Sequence, residues 1–389
     1  MKLLFVHDAT FWQSPDGRFW GTSVNNRTLE RYHRIAHDVS VAIRIEPISE
    51  DADYSKYTEI DSIYNIVPIP NLMSIKGLTV GFLKIRRKLS DEVRRYDCVV
   101  TRLSGLVGVE AANVCCNLSV PYIVECVGNP NDSLRLHGNK GRMLAPFFAG
   151  KVSKAIKQAD YVIYVTDEYL QKVFPTHGRW VACSNVTLPE NAFSRDLDRS
   201  YRSFCDKSNS FRYVLGSAGK IDMQYKGYQY VVQALSELKK SGINAVYQLA
   251  GNGDNRYLLE QAKKYGVEDR VEFLGSMTNE AVLDWMSTLD LYLQPSDTEG
   301  LPRALIEAMS VGCPCVGSDA GGIPELIDKE SIFSRGCVSE LVSAIFRVMA
   351  TPDVFAKRNY QKSQQYSLKA ITDKRNAFFD LFVNEELSK

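Results

Sequence analysis

"LDLYLQPSDTEGLPRALIEAMSVGCPCVGSDAGGIPELI" occupies Leu289–Ile327. Its first eight residues are nearly apolar throughout and stop at Pro295-Ser296, as a strand covered on both faces should. "DTEG" then reads as a loop. Pro302 suits the first helical position, and "RALIEAMSVG" reads as a helix stopped by Gly312. "CPCVGSD" is a second apolar strand. Strand, helix and strand in this order make a parallel unit, whose ligands bind beyond the carboxyl ends of the strands. Two glutamates, Glu299 and Glu307, stand in the loop and inside the helix. The helix start offers free N–H groups and a positive dipole end to an anion. Each glutamate offers a carboxylate to hydroxyl donors.

The same rhythm runs through the rest of the chain. "KLLFVHDA", "VSVAIRI", "YDCVVTR", "VPYIVECVG" and "DYVIYVT" are strand candidates in the first half; "FRYVLGSAG", "AVYQLAG" and "RVEFLG" precede the opening stretch in the second. Amphipathic runs such as "YQYVVQALSELKKSG" and "NRYLLEQAKKYG" separate them, each ended by Gly. The series breaks at 184–210, which is polar and without periodicity. At 389 residues the chain is too long for one ordinary core. The expectation is two Rossmann-like, doubly wound parallel-sheet α/β domains facing across a cleft: 1–188 and 189–369. The aromatic, amphipathic segment 370–389 is expected to pack back on the first.

Composition narrows the classes. The chain is 45% apolar and 24% charged with a net charge of +1, so nothing requires a nucleic-acid partner. The apolar start is too short for a signal peptide, and no run reaches the roughly 20 residues that span a bilayer. Nine cysteines, an odd number without Cys-x-x-Cys spacing, read as buried reduced thiols of a cytoplasmic protein. Asp51-Ala-Asp53 and Asp196-Leu-Asp198 spell a metal-binding Asp-x-Asp, but one lies in an acidic loop and the other in the linker. No metal and no cofactor is expected.

Glu299 and Glu307, with the downstream Ala308, Met309, Gly312, Pro314, Ser318, Asp319, Gly321, Gly322, Pro324 and Glu325, resemble the Glu-x7-Glu signature of family 4 retaining glycosyltransferases. That family has the GT-B fold, and its bacterial members build polysaccharides and glycoconjugates. Leu301 and Pro302 replace the usual Phe-Gly, and Pro302 removes one backbone donor. "SAGKIDMQYKG" resembles the family's Gly-Arg…Lys-Gly segment, which holds the donor diphosphate. Lys220 stands at the arginine position as a point charge in place of a planar fork, and Lys226 at the lysine position. The resemblance implies a nucleotide-sugar donor, most often a UDP-sugar. Lys220, Lys226, Gly300 and Leu301 would lie at its diphosphate and Glu299 at its sugar. Glu307 would hold the ribose, with Gly251, Gly275, Ser276 and Met277 around the base. Transfer would retain configuration by same-face attack.

The match is strong over about 212–330 and thins in the first half. There Gly21 and Thr22 are carried over to the loop expected to close on the diphosphate, and Trp20 is a candidate sugar-stacking or packing residue. The family's histidine after the fifth strand has no counterpart. Glu125, Asp132 and His137 are the acceptor-side candidates. Segment 76–95 has an apolar helical stripe and seven basic residues (Lys76, Lys84, Arg86, Arg87, Lys88, Arg94, Arg95) against Asp91 and Glu92. Two readings stand: an inward helix with a basic solvent side, or peripheral contact with the anionic inner face of the plasma membrane. "NKGRMLAPFFAGKVSK" is a second basic-apolar patch. The acceptor expected is a glycan or lipid-linked glycan. Three rivals remain: a sugar-nucleotide epimerase, a phosphorylase (which would carry lysine-bound pyridoxal phosphate), and a non-catalytic sugar-nucleotide-binding partner subunit.

Overall fold

The computed structural model describes residues 1–70, 82–103, 105–135, 138–186, 188, 190–193, 200–204 and 211–388. The chain divides into two compact units, Met1–Cys183 with Asp373–Lys389, and Ser184–Thr372.

Nine strands form the first unit's sheet: β1 (Lys2–Gln13), β2 (Phe19–Gly21), β3 (Asp38–Pro47), β4 (Thr58–Glu59), β5 (Asn65–Pro68), β6 (Cys98–Arg102), β7 (Tyr122–Cys126), β8 (Tyr161–Tyr164) and β9 (Arg179–Ala182). The parallel body runs β5-β3-β1-β6-β7-β8-β9, and β2 and β4 add antiparallel at the far end of β1. The helices are α1 (Asn26–Glu30), α2 (Phe82–Val93), α3 (Leu106–Leu118), α4 (Pro130–Arg135), α5 (Gly138–Lys157) and α6 (Tyr169–Val173). Residues 3–6 of β1, all fully buried, form its centre.

The second unit is a six-stranded parallel sheet in the order β12-β11-β10-β13-β14-β15. Its strands are β10 (Tyr213–Ala218), β11 (Ala245–Ala250), β12 (Val271–Gly275), β13 (Leu291–Gln294), β14 (Cys315–Ser318) and β15 (Ile332–Phe333). Its helices are α7 (Tyr228–Lys240), α8 (Arg256–Tyr265), α9 (Asn279–Thr288), α10 (Arg303–Ser310), α11 (Val338–Ala350) and α12 (Pro352–Ser363). From β10 the chain winds one way to β11 and β12, then returns past β10 to β13 and β14. The loops after β10 and β13 therefore part, and that divergence is where an open α/β sheet binds ligands. Val231, Leu235 and Leu238 of α7 are buried with Leu341, Ile345 and Val348 of α11, at spacings of three and four residues.

The last helix, α13 (Leu368–Phe382), belongs to the first unit from Asp373 onward. Phe379 and Phe382 are fully buried there, each burial contributing roughly 1.5–3 kcal/mol. The Phe379 ring lies 6.2 Å from that of Tyr32, and Arg34 donates twice to the Asp380 carboxylate, at 2.7 and 2.6 Å.

Several expectations need correction. The loop expected after the first strand is partly sheet: β1 continues to Gln13 and β2 pairs with it. Trp20 is a packing residue there, its indole N–H donating to Ser14 Oγ at 3.2 Å and its ring 4.6 Å from Tyr54. Pro302 precedes α10 as its cap, with helical geometry starting at Arg303. Ile85, Leu89 and Val93 of α2 are buried, so this much of the 76–95 stripe faces the core and cannot face a membrane, while Arg86 and Arg87 are exposed. Residues 76–81 lie outside the described residues. Cys116 is exposed and Cys337 half-buried, against the expectation of uniformly buried thiols, and Cys205 lies outside the described residues. Among the described residues no helix is long and apolar enough to cross a membrane.

Candidate functional site

A cavity of about 550 Å³ opens where the loops after β10 and β13 diverge, a size typical of small-molecule sites. Lys220, Lys226, Gly251, Ser276, Met277, Glu299, Leu301 and Glu307 line it. Residues separated by almost ninety positions in sequence thus meet around one space.

The floor is built by backbone contact between loops. The Gly219 N–H donates to Ala250 O at 2.9 Å, and the Gly251 N–H to Gly275 O at 2.8 Å. Gly251 has φ +150°, and a Cβ there would fall 1.9 Å from Gly219 O. The glycine is needed for loop against loop, whatever a ligand requires. Gly275 ends β12 through this carbonyl and does not itself line the cavity. Asp297 N–H donates to Tyr225 O at 2.7 Å, tying the β10–α7 loop to the β13–α10 loop. This tie brings Lys226 to Glu299.

Glu299 is held on one side. Its Oε1 accepts from Lys226 Nζ at 2.7 Å, Ser296 Oγ at 2.8 Å and Gln294 Nε2 at 3.1 Å. Gln294 is in turn fixed by the Tyr292 hydroxyl, which donates to its Oε1 at 3.1 Å. Oε2 accepts no hydrogen bond from the described residues, so one carboxylate oxygen is immobilised and the other is open to a hydroxyl donor. Glu299 and Lys226 are 12% and 21% exposed, which puts the pair in a partly desolvated setting where charge interactions are stronger than in water.

Glu307 lies inside α10. Burial raises its pKa, and the Arg303 guanidinium, 3.8 Å away, acts in the opposite sense. Gly300 supports the loop by accepting the Gly322 N–H at 2.8 Å. Gly321 has φ +55°, and a Cβ there would sit 1.9 Å from Glu299 O. Gly321→Ala is therefore expected to cost about 1–3 kcal/mol and to displace the Glu299 loop. A urea midpoint equal to wild type would refute this packing argument.

Four polar lining residues escaped the sequence reading: Asn252, Asn279, Gln294 and Arg303. Only Gln294, a polar residue closing an apolar strand, carried a visible signal.

The remaining candidates belong to the first unit. Gly21 is buried at the end of β2, where a Cβ would meet Val24 O at 2.2 Å; Thr22 beside it is exposed. Glu125, expected on the acceptor side, instead forms a core ion pair with Arg102 Nε at 2.7 Å and accepts from the Tyr32 hydroxyl at 2.9 Å. Burial alone would raise this carboxyl, but Arg102 and Arg31 outweigh it and hold it at about 2. Asp132 accepts from Asn129 Nδ2 at 2.9 Å and from the Tyr169 hydroxyl, which tethers the loop after β7. His137 lies outside the described residues.

Comparison with known proteins bears on the family and the fold. The sequence model of the family described as Glycosyl transferases group 1 matches residues 212–351. Protein CapJ of Staphylococcus aureus is 31% identical over 350 residues, spanning 89% of this chain and 86% of its own. The putative colanic acid biosynthesis glycosyltransferase WcaL of Escherichia coli is 36% identical over 27% of this chain and 28% of its own. Anabaena Alr3699/HepE, solved in complex with UDP, superposes with a TM-score of 0.61 at 16% identity, covering both chains completely. The fold is that of the GT-B glycosyltransferases, and the chain belongs to the group 1 glycosyltransferase family.

Proposed function

We propose that this glycosyltransferase moves a sugar, with retention, from a UDP-sugar to a glycan or lipid-linked glycan during cell-surface polysaccharide synthesis. The observation that carries the reading is Glu299: one oxygen saturated by Lys226, Ser296 and Gln294, the other free, in the cavity that Glu307 also lines. In this reading Glu307 accepts from ribose hydroxyls and Glu299 Oε2 from a sugar hydroxyl. Lys220 and Lys226 stabilise the charge that develops on the departing diphosphate, preorganised electrostatic work of several kcal/mol. The phosphate takes the acceptor proton as the glycosidic bond forms on the face it leaves. The names of WcaL and of HepE with UDP support the pathway class and the nucleotide.

Saturating UDP-sugar is expected to stabilise the second unit by about 2.7 kcal/mol at a hundred times Kd. GDP- and ADP-sugars should give less, read as shifts in melting temperature. If no nucleotide sugar shifts the melting curve, the reading fails. Since lysines do the cationic work here, transfer should persist at its full rate in excess EDTA. A rate abolished by EDTA and restored by Mg²⁺ would overturn that part.

A further inference from the structure

We infer that Arg303 is the two-pronged phosphate ligand of the donor site, held on Glu307 until the nucleotide arrives. The inference rests on the donor reading above and gives a task to a residue which that reading leaves idle. Arg303 is the first residue of α10 and lines the same cavity as Lys220, Lys226, Glu299 and Glu307. Nothing in the helix explains it. The first turn has no acid, and the Pro302 cap makes no side-chain hydrogen bond. A cation there opposes the positive end of the helix dipole, where an acid or a polar cap is the stabilising choice. Packing does not explain it either, since the side chain is 59% exposed. Among the described residues its one ion pair is with Glu307 at 3.8 Å, which is beyond hydrogen-bond length. A residue that breaks a local rule without structural compensation is the kind that a binding site retains.

Charge and shape decide the ligand. Among the described residues, three cations and two carboxylates line the cavity. Without Arg303 the signs would cancel, and a diphosphate, with a negative charge on each phosphate, would meet no net attraction. Lys226 is moreover held by Glu299 at 2.7 Å, and Lys220 is a compact charge with no fixed plane. Among the described residues Arg303 is the one guanidinium on the cavity wall, and its fork fits two oxygens of one phosphate side by side. Register along α10 says which phosphate. Residues four apart on a helix are neighbours on one face, so Arg303 stands one turn from Glu307 toward the helix start. With ribose on Glu307, the group beside it is the phosphate esterified to that ribose. Binding then exchanges partners. Glu307 gives up the guanidinium for ribose hydroxyl donors, and Arg303 turns from a loose carboxylate contact to a bidentate phosphate contact. Pro302 lacks an N–H and so takes one donor from this helix start; the Arg303 side chain supplies two.

Isothermal titration of the full-length wild type, Arg303→Gln and Arg303→Lys with uridine, UMP and UDP tests this. Arg303→Gln is expected to weaken UMP and UDP by about 10–100-fold, the scale of hydrogen bonds to charged groups. Uridine, which has no phosphate, should weaken by less than about threefold in the same variant. Arg303→Lys should stay at least about fivefold weaker than wild type toward UMP, because an ammonium keeps the charge and loses the fork. The melting temperature of Arg303→Gln should equal or exceed that of wild type, since the change removes a cation from a helix start. Unchanged UMP affinity in Arg303→Gln overturns the inference. So does an equal loss for uridine, UMP and UDP, which would make Arg303 a support for Glu307, or a lowered melting temperature, which would give it a structural task. Wild-type affinity in Arg303→Lys would reduce the contact to a point charge and overturn the two-pronged assignment. A wild type that binds none of the three ligands fails the donor reading and this inference together. A wild type that binds UDP, with an Arg303→Gln that binds it equally well, fails this inference alone.

Discussion

Glu299→Gln is expected to lower kcat by roughly 10²–10³-fold with KM changed less than threefold, a loss on the scale of removing one preorganised electrostatic group from an active site. Glutamine keeps the shape and can still accept from Lys226, Ser296 and Gln294 through one oxygen. What it loses is the negative charge and the second acceptor, because an NH2 group replaces the oxygen that is free in the native site. Lys226→Ala should produce a drop of similar order, since it removes the cation proposed for the diphosphate and loosens Glu299 at once. The two residues share a 2.7 Å ion pair, so their effects should not add. The double variant should be less impaired than the product of the single losses, as residues in one network are. Steady-state kinetics with a UDP-sugar donor and a glycan acceptor measures all three. Glu299→Gln within threefold of wild type would remove the carboxylate from the mechanism and favour a non-catalytic binding subunit.

Glu125→Ala is expected to destabilise the first unit by about 3–5 kcal/mol, the usual consequence of leaving one partner of a buried ion pair behind. Arg102 is 8% exposed and lies over the Phe5 ring, with Glu125 the acceptor for its Nε. Among the described residues its Nη2 already has no hydrogen-bond partner, so removing the carboxylate strands a cation with almost no water to replace it. The sign of the pH dependence follows from the depressed carboxyl, at about 2 against an ordinary 4.5. Stability from this group is fully present above pH 4.5 and is lost as pH falls from there toward 2. The variant should therefore lack that share of acid sensitivity. Three of the four tryptophans (Trp12, Trp20 and Trp180, but not Trp285) lie in the first unit, so urea titration followed by tryptophan fluorescence reports mainly on it. A midpoint unchanged at pH 7 would show that the pair contributes nothing.

Periodicity was enough to read every parallel strand from β10 to β14, because a strand covered on both faces is a short apolar run between turn residues. The strands that escaped are those without such runs. β2 and β4 have three and two residues, and β5, β9 and β15 are short edge or near-edge pieces whose pairing comes from their neighbours. The cavity residues were legible for a related reason. Lys220, Lys226 and Glu299 sit in loops and turns beside glycines, with Glu307 in the helix that follows, and such loops leave a spelling. Glu125 misled because a lone acid near the end of an apolar strand looks the same whether it faces a ligand or an arginine. Its partners, Tyr32 and Arg102, come from other elements that only folding brings near.

The sequence by itself determined the two parallel α/β units, the order of their elements and several of the glycines, lysines and glutamates that line one cavity. All of these follow from local period, turn chemistry and motif spacing. The tertiary structure alone decided three things: that Lys226 closes on Glu299, that Glu125 belongs to the core, and that Arg303 lines the same cavity as Lys220 and Glu307. Each depends on which surfaces the packed elements cover, and burial is a property of neighbours that no single stretch of sequence contains.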